Sequence, residues 1–423
     1  MYVLRGPMGK ILIDGGRKLF GELEISASKN AYLPILAGCV LGSKKITLKD
    51  YPNYLDTENM CKILSNLGAK VKKNNVFIEI DPSYIEKTEI PNELASLVRS
   101  SIFMLGAIVG KYRKAKVAYP GGCEIGARPI DIHINGLKSL GVKVVEKHGY
   151  IYCDGSNMKP ATIILDFPSV GATESLMMAS VLLEGETILY NVAKEPEVED
   201  LGKFLNSMGA KISGAGSDKI IVQGVKTLGG TEYSPIKDRI VAGTYMIATM
   251  MCGGKTTYKG VKPEYLHTVI SKLNKSACKI EAVGDRITVT ADRRPRALGR
   301  IETAVFPGIP TDLQAQLLAL QTISEGASII VENVFESRYK HIPELKKMGA
   351  DISQKDRVAV VSGVKTLFGA DVVGADLRGT VALVLAGLTA EGYTTVDKSE
   401  YIDRGHVDIV KELSTLGAEI KRL

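Results

Sequence analysis

One short pattern recurs six times along the chain and confines it to a repeat architecture. It reads Leu67-Gly-Ala-Lys70, Leu140-Gly-Val-Lys143, Met208-Gly-Ala-Lys211, Ser276-Ala-Cys-Lys279, Met348-Gly-Ala-Asp351 and Leu416-Gly-Ala-Glu419. Its second positions, from Gly68 to Gly417, lie 73, 68, 68, 72 and 68 residues apart. Each copy follows a helical pattern such as Met60–Leu67, and all but the last precede a strand-like stretch such as Lys219–Gln223. Glycine at such a junction ends a helix, because it alone enters the left-handed region without steric cost. A second marker keeps step with the first. Six apolar helical runs end near Gly42, Gly110, Gly185, Gly253, Gly326 and Gly392, each followed by a β-rich stretch such as Glu186–Tyr190. Each unit of about 70 residues is therefore a helix, a strand, a second helix, then one or two strands.

The first helix of each unit is apolar almost all round, as in Leu176–Leu183. A helix without a polar face is buried, so helices lie inside and sheets outside. At 423 residues the chain exceeds what one core holds, and the repeats group into two α/β domains of three units each. The expected boundaries make one domain of residues 1-28 and 237-423 and the other of residues 29-236, with crossings near residue 28 and near Ser234-Pro235.

Composition narrows the function classes. The net charge is +7, but the densest basic cluster, Asp292–Arg300, is short, which speaks against a nucleic-acid partner. Of six cysteines none makes a Cys-x-x-Cys pair, so reduced thiols in a cytoplasmic protein are expected. The five histidines lack metal-ligand spacing. No signal-peptide pattern opens the chain, and no apolar run approaches the roughly 20 residues that span a bilayer, so no membrane partner is expected.

The starts of the apolar helices carry an unusual set of polar residues: Ser28-Lys29-Asn30, Arg99, Ser169 to Thr173, Asp238-Arg239, Thr311-Asp312 and Asp376 to Arg378. Ser28, Thr311 and Asp376 read as helix caps, and Thr311 with Gln314 reads as a capping box. Lys29, Arg99, Arg239 and Arg378 oppose the helix dipole, which a bound anion would explain. For Arg378 a salt bridge to its neighbour Asp376 is the simpler expectation. The loops after the strands form a second set: Pro120-Gly-Gly-Cys-Glu-Ile-Gly-Ala-Arg-Pro129, Phe335 to Arg338, and Glu400 to Gly405 with Arg404. Several cations, two or three acids and one thiol thus recur at matching stations. That suits a small, multiply anionic substrate and acid–base chemistry with electrostatic stabilisation.

These residues resemble the UDP-N-acetylglucosamine enolpyruvyl transferase (1-carboxyvinyltransferase) family from end to end. The match includes Ala27 to Ala31, the Cys123 loop, Ser169 to Thr173, Pro310 to Gln316, Ala375 to Arg378 and Ile402 to Gly405. The resemblance implies two inside-out α/β barrel domains of three repeats each, with the active site in the interdomain cleft. It implies transfer of the enolpyruvyl group of phosphoenolpyruvate to the 3-hydroxyl of UDP-N-acetylglucosamine, releasing phosphate by addition and elimination. This is the first committed step of peptidoglycan precursor synthesis, and so bears on cell-wall biogenesis, cell shape and division. No cofactor and no metal are implied. By family position Cys123 is the acid and the site of fosfomycin alkylation, and Asp312 takes the hydroxyl proton. Lys29, Asn30, Arg128 and Arg404 bind phosphoenolpyruvate, with Lys29 and Arg404 counted among the catalytic set. Arg99, Arg128, Pro129, Ile130, Asp131, Ile132, Phe167, Pro168, Ser169, Val170, Asp312 and Val334 contact the UDP-sugar.

Three positions depart from the family pattern. Phe167 stands where some members have a lysine near the uridine, Gly379-Thr380 replace the small residues usual after Asp-Leu-Arg, and His406 stands where tyrosine is common. A looser helix start is the expectation at Gly379. The alternatives are transfer to shikimate 3-phosphate, whose enzyme lacks the Pro-Gly-Gly-Cys loop, and a non-enzymatic basic repeat scaffold.

Overall fold

The computed structural model describes residues 9–74, 76–121, 125–126 and 130–423. These form two compact units, the first of 9–26, 125–126 and 237–423 and the second of 27–121 and 130–236. Both chain crossings are anchored within their own unit. In the first, Asp238 N donates to Ser26 O at 2.9 Å. In the second, Ser28 N donates to Ile236 O at 2.7 Å, Tyr54 Oη donates to Ala27 O at 2.9 Å, and Asp200 Oδ2 accepts from Ile236 N at 3.1 Å.

Each unit contains three four-stranded sheets with one shared plan. The sheet of Glu89–Ile90, Lys114–Ala118, Lys143–Lys147 and Tyr150–Asp154 shows it. Glu89–Ile90 pairs in parallel with Lys114–Ala118, a pairing that needs a crossover, and the helix Phe103–Tyr112 supplies it. The helix Asp131–Ser139 follows, then an antiparallel hairpin whose second strand pairs with both neighbours. Two strands thus follow the second helix, and a short further strand precedes the next inner helix. The last repeat lacks a hairpin partner of its own. The strand Ile11–Asp14 fills the place, pairing with Tyr393–Asp397 and Glu419–Arg422. That is why the sixth copy of the pattern has no second strand after it in sequence.

The inner helices are Lys29–Gly38, Phe103–Tyr112 and Val170–Ser180 in the second unit, and Arg239–Cys252, Gln314–Ile323 and Leu377–Thr389 in the first. Every residue of Gln314–Ile323 is buried, while strands such as Val358–Ser362 alternate buried and exposed positions. Helices inside and sheets outside make each unit an inside-out α/β barrel. The buried apolar residues correspondingly form two clusters, one per unit. Close approach of inner helices needs glycine: a Cβ on Gly106 would lie 2.2 Å from Ser175 O.

The repeated pattern has a backbone cause. Gly68, Gly141, Gly209, Gly349 and Gly417 all have positive φ after their helices, and Ala277 takes the same turn at φ 73 without glycine's freedom.

Candidate active site

In the first unit the site residues gather on Asp312. It lies in the short 3₁₀ turn Thr311–Leu313, directly before the helix Gln314–Ile323. Arg338 Nη2 donates to its Oδ1 at 2.7 Å, and Arg378 Nη2 donates to its Oδ2 at 2.8 Å. The two arginine side chains are 5% and 4% exposed, against 23% for the aspartate. Charge-assisted bonds at these lengths are strong and directional, so one carboxylate is aimed by two guanidiniums.

Arg378 thus pairs with Asp312 and not with its neighbour Asp376. Asp376 caps the helix Leu377–Thr389, accepting from Arg378 N and Gly379 N, each at 3.0 Å. Thr380 Oγ1 also donates to Asp376 O, at 2.6 Å. The helix start is therefore tight, against the expectation for Gly379-Thr380. A Cβ on residue 379 would sit 3.0 Å from Asp376 Oδ2 and 3.2 Å from His341 Cβ, which accounts for the glycine. His341 is buried there, and burial pushes its imidazole below its usual pKa, with Asp376 pulling the other way.

The capping box at Thr311 does not form. Pro310 occupies the cap position without a side-chain bond, and Thr311 Oγ1 donates instead to Glu332 Oε2 at 2.9 Å. Val334 follows Glu332 and is half-buried. Arg404 ends the 3₁₀ segment Ser399–Arg404, whose Asp403 pairs with Arg422 at 2.5 Å. Two residues on, His406 is buried with Nδ1 3.2 Å from Tyr245 Oη, and Tyr245 Oη donates to Glu412. Burial pushes the Glu412 carboxyl up to about 7, partly offset by that bond. His406 thus sits beside a tyrosine hydroxyl that also serves Glu412. Ile125 also counts with this unit, its carbonyl accepting from Ser337 N at 3.0 Å.

In the second unit Lys29 opens the helix Lys29–Gly38, capped by Ser28 Oγ, which accepts from Ala31 N at 3.4 Å. Lys29 Nζ is 3.3 Å from Asp56 Oδ2, in the first turn of the helix Leu55–Leu67. Asn30 follows, half-buried. Arg99 begins the 3₁₀ segment Arg99–Ile102 and donates through Nη1 to Pro120 O at 3.4 Å. It thereby touches the first residue of the cysteine loop. Next to it, a Cβ on Gly121 would lie 2.5 Å from Ser96 O. Ile130 is buried, and Asp131 and Ile132 start the helix Asp131–Ser139, with Asp131 Oδ1 accepting from Ile132 N at 2.9 Å. Phe167 is 48% exposed, Pro168 and Ser169 are half-buried, and Ser169 caps Val170–Ser180. Cys123, Arg128 and Pro129 lie outside the described residues.

The cations at the helix starts do not depend on a bound anion for a counterpart. Each has a partner within the protein: Asp56 for Lys29, Asp312 for Arg378, the Phe306 ring 5.5 Å from Arg239, and Pro120 O for Arg99. Local stability therefore accounts for part of that pattern. Sequence reasoning missed Asp56 as the partner of Lys29, Glu332 as the partner of Thr311, and the pairing of Arg338 with Asp312. Asp56 lies in the first turn of the helix Leu55–Leu67, which is not one of the apolar helices, and Glu332 lies three residues before the Phe335 to Arg338 loop. Among the described residues no group of His, Cys, Asp or Glu could hold a metal ion, and no helix is long and apolar enough to cross a membrane. The other five cysteines are buried or half-buried, and burial raises the pKa of each thiol, to about 12 for Cys61, Cys153 and Cys252.

The fold and these motifs define an enolpyruvyl-transferase architecture, and the chain belongs to the EPSP synthase (3-phosphoshikimate 1-carboxyvinyltransferase) family, whose sequence pattern matches residues 13–413. Within that family, full-length relatives at 42–47% identity are named UDP-N-acetylglucosamine 1-carboxyvinyltransferases. One from Caldanaerobacter subterraneus subsp. tengcongensis, named UDP-N-acetylglucosamine 1-carboxyvinyltransferase 2, is 47% identical over 98% of this chain and 100% of its own length. One from Clostridium botulinum is 45% identical over 98% of this chain and 100% of its own. Among solved structures, the enolpyruvyl transferase NikO from Streptomyces tendae superposes with a TM-score of 0.88 at 23% identity, covering 98% of this chain and 99% of NikO. EPSP synthase from Acinetobacter baumannii superposes at 0.74 with 15% identity, covering 98% and 100%. These two likenesses establish the fold.

Proposed function

We propose that this protein transfers the enolpyruvyl group of phosphoenolpyruvate to the 3-hydroxyl of UDP-N-acetylglucosamine, releasing phosphate, in the cytoplasmic synthesis of peptidoglycan precursors. The observation that carries the reading is Asp312, a carboxylate fixed on both oxygens by buried guanidiniums at the start of a buried helix. A carboxylate held in one orientation suits proton abstraction from a sugar hydroxyl brought within hydrogen-bond reach. In the addition step Asp312 takes that proton, the hydroxyl oxygen bonds to C2 of phosphoenolpyruvate, and the Cys123 thiol delivers a proton to C3. In the elimination step C3 gives a proton back to the Cys123 thiolate, the C2–O bond to phosphate breaks as the double bond returns, and the proton held by Asp312 passes to the departing phosphate. Lys29, Asn30, Arg128 and Arg404 hold the phosphate and carboxylate. Arg99, Arg128 to Ile132, Phe167 to Val170, Asp312 and Val334 hold the UDP-sugar. The raised thiols of the other five cysteines support Cys123 as the reactive one.

Shikimate 3-phosphate is the competing acceptor, since it is the one named by the family pattern. The full-length relatives at 45–47% identity carry the other name, and the Pro-Gly-Gly-Cys loop agrees with them. The test is phosphate release from phosphoenolpyruvate with each acceptor in turn. Release with UDP-N-acetylglucosamine alone is expected, and release with shikimate 3-phosphate alone overturns the reading. Fosfomycin is expected to add covalent mass to the wild type and none to Cys123→Ser. Mass on another cysteine rejects the assignment of the acid.

A further inference from the structure

Glu332 has no solvent exposure. It directly follows the strand Ala327–Val331, and its two oxygens collect four hydrogen bonds. Oε1 accepts from Thr303 Oγ1 at 2.9 Å, Val334 N at 2.8 Å and Phe335 N at 3.0 Å. Oε2 accepts from Thr311 Oγ1 at 2.9 Å. All four partners donate, which suits a group that only accepts. Burying such a group is costly unless its acceptors are filled, and here they are.

The four bonds join three separate pieces of chain. Thr303 is itself tied in, accepting from Asn333 N at 2.9 Å. Thr311 is the residue before Asp312, and its hydroxyl is not used to cap the helix behind it. Val334 and Phe335 open the segment that delivers Arg338, the guanidinium on Asp312 Oδ1. One buried carboxylate therefore grips both sides of the Asp312–Arg338 pair, a single peptide bond from the aspartate and three residues from the arginine.

We propose that the Thr311–Glu332 bond is the positioning device for Asp312. Glu332 holds the Thr311 turn on one oxygen and the Arg338 segment on the other, and so sets where the aspartate points. The proposal rests on the reading of Asp312 as the acceptor of the sugar hydroxyl proton. Thr311→Val keeps the shape and removes the hydroxyl, while Thr311→Ser keeps the hydroxyl and removes the methyl group.

Steady-state phosphate release is measured for both variants, alone and combined with Asp312→Asn. Thr311→Val is expected to lower kcat by about 10- to 100-fold, the scale of a misplacement of about 1 Å at a reacting group, with KM for either substrate within about threefold. Thr311→Ser is expected to stay within about threefold of wild type. In the Asp312→Asn background the valine is expected to cost less than about twofold, because a residue acting through Asp312 has nothing left to position. Wild-type kcat in Thr311→Val, an equal loss in Thr311→Ser, or an undiminished loss in the Asp312→Asn background each overturns the proposal. If Thr311→Val is not folded at the assay temperature, Thr311→Ala is read in the same way. Wild-type turnover in Asp312→Asn alone instead removes the reading of Asp312 on which the proposal stands.

Discussion

Asp312→Asn tests stability and chemistry together, and the structure sets the size of both effects. The asparagine keeps one acceptor oxygen, so one guanidinium retains its partner. The other meets an amide N–H₂, a donor facing a donor. A lost hydrogen bond to a charged group costs about 1.5–3 kcal/mol. Breaking a fully buried ion pair costs about 3–5 kcal/mol, because the surviving charge is left without compensation. The arginine side chains are 5% and 4% exposed, but the aspartate is 23% exposed, so water softens the penalty. About 2–4 kcal/mol is expected, which for a unit of this size lowers Tm by roughly 5–12 °C. Turnover is expected to fall by about 10²- to 10⁴-fold, the range for a lost acid–base group. Thermal melts followed by circular dichroism measure the first effect. Phosphate release, assayed well below the variant's melting range, measures the second. An unchanged Tm refutes the two-arginine clamp, and wild-type kcat in a well-folded variant refutes the role of Asp312 as base.

Ala277→Gly is expected to stabilise the first unit by about 0.5–1 kcal/mol, since Ala277 holds a left-handed turn that glycine fills in the other five repeats. Urea unfolding checks this, and a loss of stability counts against strain at that turn. Glu412 binds its proton more tightly folded than unfolded, so its contribution to stability is present at low pH and is lost as pH rises through about 7. The stability of wild type relative to Glu412→Gln should therefore fall by about 3 kcal/mol between pH 5 and pH 8.5. Parallel pH profiles for the two proteins refute the burial argument.

Much of the fold was open to reading because its causes are local. A left-handed turn after a helix calls for glycine wherever it occurs, so five of six copies carry one, and the copy with Ala277 still kept enough of its surroundings to be found. Helices such as Leu176–Leu183 lack a polar face, and that alone puts them inside. Ser28 and Asp376 read correctly as caps because a cap bonds amides two or three residues away. Thr311 carried the same signal and did not cap. Its hydroxyl found a buried carboxylate 21 residues on, and nothing in the neighbouring sequence records that competition.

The ion pairs show the same division. Arg378 stands two residues from Asp376 and bonds Asp312, 66 residues away, while Asp376 Oδ1 takes the two capping amides. Lys29 finds Asp56 at the start of a different helix. The last sheet is completed by Ile11–Asp14, from the opposite end of the chain. Sequence by itself determined the sixfold repeat, the inner and outer layers and the family, since each follows from steric rules or recurring motifs. Only the tertiary structure decided which charge meets which and what aims Asp312. Those pairings depend on where separate repeats bring their helix starts and loops together, and partners far apart in the chain, such as Arg378 and Asp312, meet only in the folded structure.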